Sequence, residues 1–253
     1  MQISNQIVLV TGASRGLGAA IAKEFVAEGA RVIVNYHRSA ERAKSLADEL
    51  GKGALAIEAD VSDAKAVRRM FAEAESTFRQ PVNTVINNAL ADYSFNGEER
   101  AKIQDIPWDD FAAQLAVSLR GALNTTQAAV PSMASDNFGR IITIGTNLFQ
   151  NPVVPYHDYT AAKAALLAFT RTACADLGPS GISVNMVSGG LLRTTDASAG
   201  TPESVFNMIA EMTPLRRVTT PEEFAAAVLF FASPWSRAVT GQNLVVDGGL
   251  VRD

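Results

Sequence analysis

One cysteine, Cys174, stands in 253 residues, which excludes an internal disulfide. The two histidines, His37 and His157, lie far apart, and with a single cysteine they offer no metal-ligand spacing, so no metal centre is expected. Lys and Arg form no run and the net charge is -4, so the chain has no electrostatic footprint for nucleic acid or an anionic membrane. Its longest apolar run, FAAAVLFFA at 224–232, falls well short of the ~20 residues that span a bilayer. The opening stretch MQISNQIVLV lacks the basic flank of a signal peptide, which gives the expectation of a soluble, cytoplasmic protein. Ser/Gly-rich linkers, repeats and low-complexity tracts are also missing, so residues 1–253 are expected to form a single domain.

What is present is a rhythm. Short β-branched runs at 7–11, 31–36, 54–59, 83–88, 140–145, 182–187 and 243–248 alternate with helical patterns such as 16–28, 40–50, 63–79, 109–135 and 157–178. Strands apolar on both faces and separated by helices predict an α/β fold, a doubly wound, seven-stranded parallel sheet with helices on both sides. Two stretches break the alternation. Residues 89–108 and 189–213 are long connections after the fourth and sixth strands, at the carboxyl edge where such sheets bind ligands. They are the candidate substrate lid, above all 189–213.

The first strand runs into VTGASRGLG, with Gly12, Gly16 and Gly18 at the opening of a helix. Glycines there permit a tight turn and close backbone approach, so that amide groups of Ser14, Arg15 and Leu17 can face a pyrophosphate. No Gly-Lys-Ser/Thr ending follows, which argues against a P-loop nucleotidase, while a methyltransferase with its own glycine turn remains a rival. The second strand ends in Asn35, Tyr36, His37, Arg38 and Ser39, without the carboxylate that an NAD site uses to hold the ribose 2′-hydroxyl. Arg15 and Arg38 can instead meet a 2′-phosphate, which points to NADP(H). Asp60 and Val61, after the third strand, stand where an adenine edge would lie.

YTAAK at 159–163 places Tyr159 and Lys163 one helical turn apart on one face. A phenol near pKa ~10 is a poor proton donor at neutral pH, and a neighbouring ammonium favours its ionised form. The pair alone is also compatible with an ordinary surface helix.

Taken together, TGASRGLG at 11–18, ADV at 59–61, NNA at 87–89, YTAAK, VNMVSGG followed by Thr194, and TGQNLVVDGG at 240–249 resemble the short-chain dehydrogenase/reductase family over nearly the whole chain. Among its members the chain is most similar to 3-oxoacyl-acyl-carrier-protein reductases. The resemblance implies a Rossmann-type fold and reversible hydride transfer between a nicotinamide and a carbonyl or alcohol. Tyr159 would be the proton donor, and Lys163 would hold the nicotinamide ribose and lower the tyrosine pKa. Asn88, Ala89, Gly190, Leu192 and Thr194 would complete the NADP(H) cleft. The family's long helices pair in a homotetramer, consistent with the alanines at 161, 162, 164, 165 and 168.

The departures from the family pattern are specific. Thr146 stands where a serine is usual, keeping a hydroxyl but adding a methyl. Ser118 replaces the asparagine that supports a proton-relaying water, Leu90 replaces a glycine, and Gly189-Gly190 replaces Pro-Gly, expected to loosen the start of the lid. Basic residues that would greet an acyl carrier protein are absent at Asn137 and Ser180, leaving Arg120, Arg140 and Arg171 as substitutes. Leu148, Phe149, Tyr156, Leu191, Leu192, Phe206 and Met208 are candidates for an apolar pocket. The substrate is therefore either an acyl thioester, with acyl carrier protein as partner, or a free apolar ketone. A non-catalytic NADP(H)-binding sensor or scaffold is the reading from another class.

Overall fold

The computed structural model describes residues 1–93, 95, 99–193, 195–196 and 198–252. Seven parallel strands form one sheet in the order β3-β2-β1-β4-β5-β6-β7. They are β1 (Ile7–Val10), β2 (Arg31–Tyr36), β3 (Ala54–Glu58), β4 (Thr84–Asn87), β5 (Gly139–Thr146), β6 (Ile182–Gly189) and β7 (Asn243–Val246). Period-two geometry divides each strand between two cores. From β1, Val8 and Val10 enter one apolar cluster and Ile7 and Leu9 the other. In β5, Ile142 and Ile144 go to the first and Ile141 to the second. Helices α1 (Gly16–Ala27) and α8 (Pro221–Ala232) cover the first face with Ile21, Phe25, Phe224, Val228 and Phe231. On the other face, α3 (Ala64–Phe78) and α5 (Gly121–Ser135) contribute Val67, Met70, Ala129 and Met133. The strands lack an alternating polar face because both faces are buried.

Helix ends follow local chemistry. Asp63 caps α3 by accepting from the Lys65 amide at 2.7 Å. Thr220 and Glu223 form a reciprocal capping box at α8. The expected helix 109–135 is continuous as α4 (Trp108–Leu115), a π-helical turn over Ala116–Arg120, and α5. Such a turn inserts an extra residue into the ladder and is frequent at functional sites. Ser118 lies within it.

The C-terminal third departs from the sequence reading. The connection 189–213 holds a helix, α7 (Glu203–Met212), and the apolar run at 224–232 belongs to α8, which fills the first core. The remaining helices are α2 (Ala40–Leu50) and α6 (His157–Leu177). Among the described residues no helix is long and apolar enough to cross a membrane, and no group of three His, Cys, Asp or Glu could hold a metal ion.

Candidate functional site

The strand order reverses between β1 and β4, which opens a crevice at their carboxyl ends. Three polar side chains fix its floor. Thr11 Oγ1 donates to the Ile86 carbonyl and accepts from the Asn88 and Ala89 amides at 2.9 and 3.0 Å. Asn88 Nδ2 donates to the Thr11 carbonyl at 2.9 Å and to that of Gly12 at 3.2 Å. Asn35, almost fully buried, accepts from the Gly12 amide and donates to the Ala59 carbonyl, joining the turn to β2 and β3. Its backbone carbonyl also accepts from the Ala13 amide at 2.9 Å.

The glycines are required by this geometry. Gly12 has φ 62°, and a Cβ there would lie 3.0 Å from Ala89 Cα; one on Gly18 would lie 2.6 Å from both Asn88 Nδ2 and the Gly12 carbonyl oxygen. Unlike α3 and α8, helix α1 has no side-chain cap: Arg15 at its N-cap makes no such bond. Its first amides therefore remain available for an anion. An open cradle that a Cβ would fill, ending on an uncapped helix, fits a dinucleotide pyrophosphate. Ser14, Arg15, Gly16 and Leu17 are the residues that could hold it.

At the expected ribose end, the structure separates the named residues. Tyr36 turns its ring into the first core, and its carbonyl accepts from the Ala59 amide. His37 and Arg38 are exposed and Ser39 is half-buried. Arg38 lies 4.0 Å from Asp92, an exposed pair worth little. Arg15 and Arg42 converge on Asp196, at 3.5 and 2.7 Å. Neither Arg42 nor Asp196 was singled out in the sequence, although Arg42 follows Arg38 by one helical turn. Asp60 accepts from the Ser62 amide and hydroxyl; burial pulls its carboxyl up, but those bonds, with His37 and Arg38 nearby, outweigh it and hold it below its ordinary value. Val61 packs against Gly121, where a Cβ would approach within 2.8 Å, and its carbonyl accepts from Asn124. Thr194 lies outside the described residues.

The chemistry-bearing side chains meet where β5 ends and α6 begins. Tyr159, Lys163, Thr146 and Ser118 are all buried. The Thr146 hydroxyl hydrogen-bonds the Tyr159 phenol and accepts from the Leu148 amide. Lys163 Nζ donates to the Ile144 carbonyl at 2.7 Å and lies 5.8 Å from the Tyr159 ring centroid. Burial pushes the Tyr159 phenol up to about 12, against a smaller downward pull from Thr146, and pushes Lys163 down to about 8. The expected lowering of the tyrosine by its lysine is thus not produced by these side chains alone. Desolvation dominates the shift, and the ammonium is turned to the Ile144 carbonyl. Among the described residues, Ser118 Oγ is buried without a partner, as is the amide nitrogen of Asn87.

Several expected pocket residues lie elsewhere. Phe149 packs with Ala122, Leu166 and Met186, Met208 is 52 % exposed, and Phe206 is buried beneath the Arg193 guanidinium. Arg140 is buried, donates to the Gly139 carbonyl and stacks on Phe138, so it cannot greet a carrier protein. Gly189 and Gly190 are closely packed, since added Cβ atoms would lie 2.9 Å from Phe224 and Asn147, respectively. The cover over Tyr159 comes from 89–108, one of the two stretches expected to form a lid, through residues that the sequence did not single out. Tyr93 and Phe95 place their ring centroids 5.4 and 5.3 Å from it, and Arg100 pairs with buried Asp158 at 2.7 Å.

The switch-point crevice, the glycine turn and the Tyr–Lys pair define an oxidoreductase that acts on CH–OH or carbonyl groups with a nicotinamide cofactor. Comparison with known proteins specifies it further. A family profile described as "Enoyl-(Acyl carrier protein) reductase" matches residues 12–251, and the chain belongs to the short-chain dehydrogenase/reductase family. It is 32 % identical to a 3-oxoacyl-[acyl-carrier-protein] reductase of Staphylococcus epidermidis, over 97 % of this chain and 99 % of that protein. It is also 30 % identical to an NADPH-dependent aldehyde reductase 2, chloroplastic, of Arabidopsis thaliana, over 98 % of this chain and 94 % of the relative. Among solved structures, a gluconate 5-dehydrogenase of Burkholderia cenocepacia in complex with NADP and tartrate superposes with TM-score 0.88 at 29 % identity, covering 98 % of this chain and 96 % of the other. A dehydrogenase/reductase of Sinorhizobium meliloti gives TM-score 0.87 at 33 % identity, covering 99 % and 97 %.

Proposed function

We propose that the chain is an NADPH-dependent carbonyl reductase, with Tyr159, Lys163 and Thr146 as its catalytic residues and Ser118 supporting proton resupply. The observation that carries this reading is the hydrogen bond between Thr146 and Tyr159: two hydroxyls from β5 and α6 converge and can share one substrate oxygen. A bound dihydronicotinamide supplies the hydride. As the carbonyl carbon is reduced, its oxygen gains negative charge; Thr146 donates a hydrogen bond to it and Tyr159 transfers its proton. The phenol is protonated at neutral pH, but burial makes it a weaker acid, so proton transfer relies on the negative charge that develops on the substrate oxygen and on stabilisation of the phenolate. Lys163 stabilises the phenolate left behind, and water at Ser118 Oγ returns a proton towards it. Two hydroxyls aimed at one oxygen favour a carbonyl over the carbon–carbon double bond named in the profile's description.

NADP(H) is supported over NAD(H) by Arg15, Arg38 and Arg42 around the ribose end and by the absence of a carboxylate at the end of β2. The relatives' names support two substrate classes, a carrier-bound 3-oxoacyl thioester and a free aldehyde or ketone. Buried Arg140 and the neutral Asn137 and Ser180 favour the free ketone. We further propose a cytoplasmic homotetramer of single-domain subunits, with the exposed Ala161, Ala164 and Ala168 face of α6 at one two-fold contact. Titration with NADPH and NADH, followed by nicotinamide absorbance against a 3-oxoacyl thioester and a ketone panel, tests the reading. Tight NADPH binding with ketone turnover supports it. Turnover of an enoyl thioester alone would replace carbonyl reduction, and no turnover with tight binding would favour a sensor.

A further inference from the structure

We propose, resting on the reductase reading above, that Tyr93 and Phe95 form a fixed ring wall on the substrate side of Tyr159 that selects ketones carrying a flat, conjugated or aromatic group. The segment joining β4 to α4 brings both rings onto the residues flanking the α6 N-terminus. Tyr93 lies 5.4 Å from Tyr159 at 30° and 5.6 Å from Tyr156 at 89°. Phe95 meets the same two rings edge-on, at 5.3 and 5.7 Å, and meets Tyr93 at 4.9 Å. Tyr93 and Phe95, in tilted and edge-to-face contact with each other and with Tyr156 and Tyr159, form an environment that rewards another flat ring more than a puckered or linear chain.

The wall is anchored from behind. Asp158, one residue before the catalytic tyrosine, is 2 % exposed and accepts from Arg100 Nη2 at 2.7 Å and from the Tyr93 hydroxyl at 3.2 Å. The Arg100 guanidinium also lies 4.1 Å from the Tyr93 ring centroid. Withdrawing Tyr93 would strip a buried carboxylate of one partner and disturb the other, so the wall resists retreat. The same bonds occupy the polar end of Tyr93, which leaves ring carbon as the surface offered to a substrate. Tyr159 is itself 9 % exposed, so a substrate oxygen that reaches the phenol brings its substituent along the edge of this fixed wall. A flat substituent gains ring contacts there. A saturated chain, including that of an acyl thioester, does not.

The test compares kcat/KM at saturating NADPH for phenyl methyl ketone, cyclohexyl methyl ketone and a 3-oxoacyl N-acetylcysteamine thioester. The expected result is an aryl preference of about three- to tenfold over the saturated ring, the ratio that one ring contact supports, with the thioester poorer still. That ratio falls towards one in Tyr93→Leu and in Phe95→Leu. The second variant is informative even if the first misfolds, because Phe95 has no hydroxyl to lose. An aryl-to-cyclohexyl ratio at or below one in the wild type, a superior thioester, or an unchanged ratio in folded variants overturns the wall. Absence of turnover with all three substrates, while NADPH still binds, overturns the reductase reading itself.

Discussion

Replacing Asp196 with Asn should tighten NADPH while leaving NADH unchanged. Asp196 stands in the connection after β6 and is the shared partner of Arg15 and Arg42, at 3.5 and 2.7 Å. Arg15 is the N-cap of α1 and Arg42 stands in the first turn of α2, just past the end of β2 where the cofactor's 2′-phosphate is proposed to lie. A 2′-phosphate that uses them must displace the carboxylate. All three side chains are more than half exposed, so each pair is worth only about 0.2–1 kcal/mol. Removing both pairs gives a total of about 0.4–2 kcal/mol. Because 1.4 kcal/mol is a factor of ten, NADPH should bind roughly two- to thirtyfold more tightly. NADH, which carries the pyrophosphate but no 2′-phosphate to compete with Asp196 for these arginines, should be unaffected by this exchange. The gain should shrink as salt rises, since the Debye length falls from about 10 Å at 0.1 M to about 3 Å at 1 M. Fluorescence titration of both cofactors at two salt concentrations measures this. Unchanged or weaker NADPH binding in the variant would refute the competition, as would equal tightening of NADH.

Further consequences follow from the buried groups. Thr146→Val removes the hydroxyl bonded to Tyr159 and should lower kcat by about 10²-fold or more, whereas Thr146→Ser should retain most of it, as steady-state assays would show. Lys163 titrates near 8 in the folded protein and near 10.5 when unfolded, so the unfolded chain binds more protons between these values and stability rises with pH across that window. The penalty for burying its charge is full below pH 8. Relative to Lys163→Met, the wild type should gain on the order of 2 kcal/mol between pH 8 and 10 by chemical denaturation, and parallel profiles would contradict this burial. Arg100→Met leaves Asp158 buried without its cation and should cost about 3–5 kcal/mol in the same measurement; a loss below 1 kcal/mol would show that the pair is solvated.

The sheet was legible because its chemistry is local. Strands such as RVIVNY are apolar on both faces, and their ends agree with the structure within a residue or two. Helix α8 was obscured because PEEFAAAVLFFA is apolar nearly all round and shows little amphipathic period. The reading of 189–213 as plain connection missed α7, which starts after Pro202 among Ser, Thr and Gly that resemble loop composition. Tyr159, Lys163 and Thr146 lie together, as motif spacing and strand order lead one to expect; the catalytic roles proposed for them await the variants. Asn35 gave no such signal, because its role is to bond Gly12 across 23 residues. The Arg42–Asp196 and Arg100–Asp158 pairs join positions 154 and 58 residues apart and leave no periodic trace. The direction of the Tyr159 shift was equally invisible, since it depends on desolvation rather than on the neighbouring lysine.

Tyr159→Phe keeps the ring and its packing but removes the proton that the mechanism requires. Measured beside the wild type with NADPH and the best ketone of the panel, it should lose turnover by roughly 10²–10⁴-fold, the range of general-acid catalysis, while NADPH affinity changes less than about twofold. Turnover equal to that of the wild type would contradict the assignment of Tyr159 as proton donor and with it the account of the site.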